Sequence, residues 1–94
     1  LVCVLDENYL DQYYKIVNEL RENNINSEIY LDSTKNLKKQ LTYADKKGCS
    51  LAIICGQEEI EQGRITIKKL KSKKENDQIS ISSKNLINEI KKLI

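Results

Sequence analysis

Ser50-Leu51-Ala52-Ile53-Ile54-Cys55 is a continuous apolar run from Leu51 to Cys55 with two isoleucines in succession. It is too short for a core helix and has no alternating polar face, so it reads as a strand buried on both sides. Leu1-Val2-Cys3-Val4-Leu5 has the same character. Two such runs belong side by side in the middle of a sheet. Between them, Leu10, Tyr13, Val17 and Leu20 recur at helical spacing, and Ser27 to Asp32 alternates like a half-buried edge strand. A second helical pattern spans Asn36 to Gly48. Strand, helix, strand, helix, strand predicts a parallel, right-handed α/β unit.

The second helix is the more informative one. Leu37, Leu41 and Ala44 form its buried stripe, with Lys39 and Lys46 nearly opposite, Lys38, Thr42 and Asp45 on one flank, and Gln40, Tyr43 and Lys47 on the other. Gly48 should end it in the left-handed region, and Thr34 or Ser33 should cap its start. In the first helix, Asp6-Glu7-Asn8 supplies the turn and cap, the end falls near Asn23-Asn24, and Tyr9 and Tyr14 border the core.

After Cys55 the rhythm changes. Gly56 to Gly63 is too short for a crossover helix and reads as a loop with at most one helical turn. Arg64 to Leu70 and Gln78 to Ser82 both alternate, so they form a hairpin about the polar stretch Lys71 to Asp77. Ser83 should cap a last helix with Leu86, Ile87, Ile90, Leu93 and Ile94 on its buried side.

At 94 residues the chain holds one modest core. It starts inside an apolar run without an initiator methionine, which suggests a domain cut from a longer protein. No stretch approaches the roughly 18 to 20 apolar residues of a membrane span. The net charge of +2 conceals an asymmetry: residues 1 to 32 carry two basic and seven acidic side chains, residues 33 to 94 fourteen and seven. A polyanion would sit on the second part, although lysines at this density also simply decorate wetted surfaces. Cys3, Cys49 and Cys55 are odd in number and two lie in apolar runs, as reduced thiols of a cytosolic protein would. Without histidine or a Cys-x-x-Cys pair, a zinc site or a Cys/His nucleophile is not expected.

In open α/β sheets a ligand sits beyond the carboxyl ends of the strands, where the connections diverge. That crevice is expected between Asp6-Glu7-Asn8 and Gly56 to Gly63, flanked by Ser33 to Lys39. It offers carboxylates, amides and lysines, but no catalytic residue, no cofactor site and neither phosphate-binding glycine pattern. Exposed glutamates such as Glu58, Glu59 and Glu61 are often no more than solvated. Here they lie among lysines, a combination suited to unpaired nucleic acid. Lysines neutralise phosphates, while carboxylates and amides read base edges.

Three features together resemble the C-terminal anticodon-binding domains of histidyl-tRNA synthetases, over essentially all of residues 1 to 94. They are Leu37-Lys38-Lys39-Gln40-Leu41-Thr42-Tyr43-Ala44-Asp45-Lys46-Lys47-Gly48, the apolar strand ending at Gly56, and Glu58-Glu59 with Gln62-Gly63 leading into Ile65-Thr66-Ile67-Lys68-Lys69-Leu70. Sister domains of the threonyl, prolyl and glycyl enzymes are similar in fold. Leu70 fits the histidyl type, since the threonyl type tends to have arginine there. Glu61 departs from the pattern, standing where many histidyl domains have a small residue.

The resemblance implies a three-layer α/β/α domain with a mixed five-stranded sheet of order 2-1-3-4-5, strand four antiparallel. It implies tRNA as partner and no membrane. The parent would be a cytoplasmic, homodimeric class II ligase that attaches histidine using ATP and Mg²⁺ in a catalytic core outside this chain. Lys35, Lys38 and Lys39 are expected on phosphates, and Glu58, Glu61, Gln62 and Asn8 at the bases, with Glu58 the stronger choice and Glu61 the weaker. A regulatory, catalytically inactive paralogue of the synthetase, acting through protein contacts in histidine biosynthesis, is the alternative. A free-standing α/β binding domain is the third.

Overall fold

The structure, a computed structural model, describes residues 1–30, 35–71 and 78–93. The expectations for Leu31 and Asp32, the capping roles of Ser33 and Thr34, most of the hairpin turn, and Ile94 lie outside them. In chain order the elements are α1 (Leu10–Glu22), α2 (Leu37–Lys46), β1 (Leu51–Ile54), α3 (Gln57–Gln62), β2 (Arg64–Lys69), β3 (Gln78–Ser82) and α4 (Leu86–Leu93), with 3-10 turns at Glu7–Tyr9 and Ser83–Asn85.

The three strands form an antiparallel sheet in the order β1-β2-β3, with Ile53 opposite Ile67 and Ile67 opposite Ile79. The first apolar run lies beside β1, extended and buried from Leu1 to Val4, yet it contributes only isolated bridges. Val2 is bridged in parallel to both Ile29 and Ile53. The Val2 N–H donates to Glu28 O, the Tyr30 N–H to Val2 O, the Cys3 N–H to Ile53 O and the Ile53 N–H to Leu1 O, all at 2.8 to 3.0 Å.

Pairing does not continue because side chains take over the next backbone groups. Val4 N–H is bound by Gln40 and Leu5 N–H by Tyr13. The expected full strand at Leu1 to Leu5 is therefore replaced by a short bridged segment. Likewise, only Ile29 bridges within the expected edge strand.

The sheet separates two apolar clusters. On one side Val2, Val4, Ile53, Ile65 and Ile67 meet Tyr13, Val17 and Leu20 of α1 and Leu86 and Ile90 of α4. On the other, Leu1, Cys3, Ala52 and Ile54 meet Ala44 of α2, with Leu37, Leu41 and Leu70 half-buried beside them. The first-helix stripe is as expected except that Leu10 is only half-buried. Tyr14 is exposed rather than at the core edge.

The second helix departs more. Leu41 is half-buried, whereas Gln40, expected on a flank, is completely buried. Asn36 caps this helix, its side-chain oxygen accepting from the Lys39 N–H at 2.9 Å. Gly48, at φ +78°, takes the left-handed turn that a Cβ disfavours. The expected loop after Gly56 is mostly the short helix α3, closed by Gly63 at φ +67°. Ser83 is not a side-chain cap: it opens a 3-10 turn, and its N–H donates to Gly63 O at 2.8 Å.

Candidate nucleic-acid interface

Two buried polar side chains gather the chain segments at one end of the sheet. The Gln40 carboxamide accepts from Val4 N–H at 2.8 Å and donates to Val4 O at 2.7 Å and Lys35 O at 3.0 Å. It joins the exit of the first segment to the entry of α2. The Tyr13 hydroxyl donates to Cys55 O at 2.6 Å and accepts from Leu5 N–H at 3.4 Å, joining the same exit to the end of β1. Burial raises the Tyr13 pKa. Each hydrogen bond satisfies a backbone group that the ladder leaves behind. The turns that begin at Leu5, Lys35 and Gly56 therefore share one end of the sheet.

Asn8 follows the first of these exits and is exposed, its N–H accepted by the Asp6 carboxylate at 2.9 Å. Lys35, Lys38 and Lys39 are exposed at the start of α2, where helix N–H groups also favour anions. Lys46 and Lys47 lie at the other end, and Lys47 pairs with Glu28 at 3.9 Å over the Tyr43 ring.

The three glutamates of α3 differ. Glu58 is exposed, and its carboxylate has no hydrogen-bond partner among the described residues. Glu61 is exposed but engaged, accepting from the Tyr9 hydroxyl at 3.3 Å and from Gln57 at 3.4 Å. Partial desolvation and then the neighbouring Glu61 charge raise the Tyr9 pKa. The structure thus brings Asn8's segment and Glu61 together through Tyr9. Gln62 is exposed on the same short helix.

Glu59 is the carboxylate that is held. Half-buried at the third position of α3, it accepts from Gly56 N–H at 3.3 Å and from the Thr66 hydroxyl at 2.7 Å. Thr66 opens onto a polar strip of the hairpin: Arg64 faces Ser82, Thr66 faces Ser80 and Lys68 faces Gln78. The Arg64 guanidinium reaches across to Ser80, donating to its hydroxyl at 3.2 Å and its carbonyl at 3.0 Å. The intervening Ile65, Ile67, Ile79 and Ile81 belong to the apolar cluster on the opposite face. Reading the loop alone did not connect Glu59 with Thr66. The signal lay in the alternation of Arg64 to Leu70, which puts Arg64, Thr66 and Lys68 on one face.

A cleft of about 580 Å³ lies at the other end of the sheet, lined among others by Leu1, Leu20, Lys47, Leu51 and Ile90. It is remote from these loops. Among the described residues no three Cys, Asp or Glu side chains come together as metal ligands would, and no helix is long and apolar enough to cross a membrane.

Comparison with known proteins agrees with this geometry. The family model described as "Anticodon binding domain" matches residues 1–93. The histidine–tRNA ligase of Pelagibacter ubique is 58% identical over 95 residues, covering 100% of this chain and 20% of the relative. That of Mesorhizobium japonicum is 46% identical over 70 residues, covering 74% of this chain and 14% of the relative. The chain thus spans a fifth or less of the length of these curated relatives. Among solved structures, the histidyl-tRNA synthetase of Nostoc sp. PCC 7120 superposes with a TM-score of 0.87 at 27% identity, over 97% of this chain and 21% of that one. The RNA binding domain of threonyl-tRNA synthetase from Cryptosporidium parvum shares the fold, with a TM-score of 0.84 at 12% identity over 98% of this chain and 22% of that one. With nearly its full length matched by one family model and its architecture shared with these domains, the chain belongs to the anticodon-binding domain family.

Proposed function

We propose that this chain binds the anticodon loop of histidine tRNA, as the anticodon-reading part of a histidine–tRNA ligase. One observation carries the reading: three turns meet at one end of the sheet, with Lys35, Lys38 and Lys39 on one and the glutamates of α3 on another. Lysines there neutralise phosphate, and carboxylates accept from base donors. The Watson–Crick edge of guanine presents two adjacent N–H donors, which adenine lacks. The histidine anticodon has guanine at its first and third positions.

Residues 1–94 act as one anticodon-binding domain. Its strand segments complete a mixed five-stranded sheet of order 2-1-3-4-5, a reading supported by the two parallel bridges of Val2 and the antiparallel pairing of β2. The parent is a cytoplasmic homodimer in which a separate catalytic core uses ATP and Mg²⁺. The relatives are ligases by name, which favours the ligase over the regulatory paralogue.

Within the site, Lys35, Lys38 and Lys39 take phosphates, Asn8 and Gln62 supply amides, and the carboxylates discriminate. Glu58 and Glu61 remain candidates. Glu59 joins them because its position is already fixed.

The test titrates the chain with anticodon stem-loops carrying guanine or adenine at each position. Glu58→Gln, Glu59→Gln and Glu61→Gln identify the reader by a loss of about 1 to 3 kcal/mol of guanine preference. Alanine at each of the three lysines should flatten log affinity against log salt by about 0.7, with Lys46 and Lys47 as controls. Full guanine preference in all three glutamine variants, with unchanged slopes in the lysine variants, refutes the proposal.

A further inference from the structure

A reader of base edges has to be held in place before the base arrives, since each rotor frozen on binding weakens the complex. Glu59 is the α3 glutamate bonded both to the N-cap of its own helix and to a strand of the sheet. Its Oε1 accepts from the Gly56 N–H at 3.3 Å, and its Oε2 accepts the Thr66 hydroxyl at 2.7 Å. The first bond ties the carboxylate to the end of its own helix. The second crosses to β2, where Ile54 pairs with Thr66 on one side and Ser80 on the other. Thr66 is therefore anchored in the middle strand of the sheet.

The acceptor arithmetic is specific. A carboxylate offers about four lone-pair directions, two on each oxygen. Gly56 and Thr66 each occupy one, on different oxygens. One acceptor site is left on each oxygen, the number that the two N–H donors of a guanine edge require. Among the described residues Glu58 has no such support, and Glu61 is held by the side chains of half-buried Tyr9 and exposed Gln57.

We infer that Thr66 is a positioning residue for base recognition: its hydroxyl fixes the Glu59 carboxylate so that one acceptor on each oxygen meets the paired donors of an unpaired guanine. This rests on the anticodon-loop reading above. Thr66 itself touches no base. Its effect appears as selectivity rather than as general affinity.

Thr66→Val keeps the branched shape and the strand propensity while removing the hydroxyl. In stem-loop titrations of the 94-residue chain, it should reduce the ratio of guanine to adenine affinity about two- to tenfold. The salt slope should be unchanged, because no phosphate contact is lost. Thr66→Ser, which keeps the hydroxyl, should restore the ratio, and circular dichroism melts confirm that both variants are folded. Thr66→Val that keeps the full ratio, or weakens both stem-loops equally, overturns the inference while leaving the anticodon reading intact provided Glu59→Gln still lowers the ratio. If Glu59→Gln itself keeps the full ratio, the reader lies elsewhere, and the positioning role fails with it.

Discussion

Replacing Gln40 with leucine retains most of the side chain's bulk and removes all of its polar atoms. The side chain is fully buried and makes three hydrogen bonds, at 2.7, 2.8 and 3.0 Å. Three ordinary bonds contribute about 1.5 to 4.5 kcal/mol net. The variant also strands the N–H and C=O of Val4, which is 1% exposed, and each buried orphan costs about 1 to 3 kcal/mol. Leucine recovers part of this through apolar burial, so a loss of about 3 kcal/mol is expected. A domain of this kind is stable by about 5 to 15 kcal/mol, so the change is measurable without abolishing folding. With a urea slope of about 1 to 3 kcal/mol per molar, the midpoint should fall by about 1 to 3 M. A loss below about 0.5 kcal/mol at unchanged slope would refute the claim that this carboxamide substitutes for the missing ladder. Gln40→Glu should be worse at neutral pH, because it places a charged oxygen against two carbonyls.

Tyr13→Phe removes the bond that joins Leu5 and Cys55; urea melts should show a loss of about 1 to 2 kcal/mol. Leu41→Ala, at a half-buried site, should cost about 1 to 2 kcal/mol in the same assay, below the range for a full core leucine, whereas Ala44→Leu should cost about 1 to 3 kcal/mol by overpacking. Burial pushes the Cys3 thiol up to about 11 from an ordinary value of 9.0. The unfolded chain then loses a proton that the folded one keeps, so this contribution is present below pH 9 and lost as pH rises from 9 to 11. Stability measured across that interval should fall less steeply in Cys3→Ala than in the parent chain.

Apolar continuity and periodicity located the strands and helices because burial imposes those patterns directly. They did not reveal that Leu1 to Leu5 would stop pairing after Cys3. That outcome depends on Gln40 and Tyr13, whose polar atoms reach backbone groups 36 and eight residues away. A helical wheel scores glutamine as surface, and only its three partners make burial favourable. The carboxyl-end rule anticipated that the segments after Leu5 and Cys55 and the entry of α2 would gather at one end of the sheet, as they do. The support under each glutamate was not legible. Glu58 and Glu59 are adjacent in sequence, and what distinguishes them is the hydroxyl of Thr66 on another element.

The segment from Leu1 to Val4 lies between Ile29 and Ile53, with both parallel neighbours provided by later parts of the chain. During synthesis these apolar residues leave the ribosome well before Leu51–Ile54 and must wait for that strand to emerge before their second flank closes. Helix α1 can form locally in the interval, but its buried face has no finished sheet to rest on. The slow step of folding should therefore be this late, long-range insertion between two partners, and chaperones that bind apolar extended segments should recognise the nascent chain at Leu1 to Leu5.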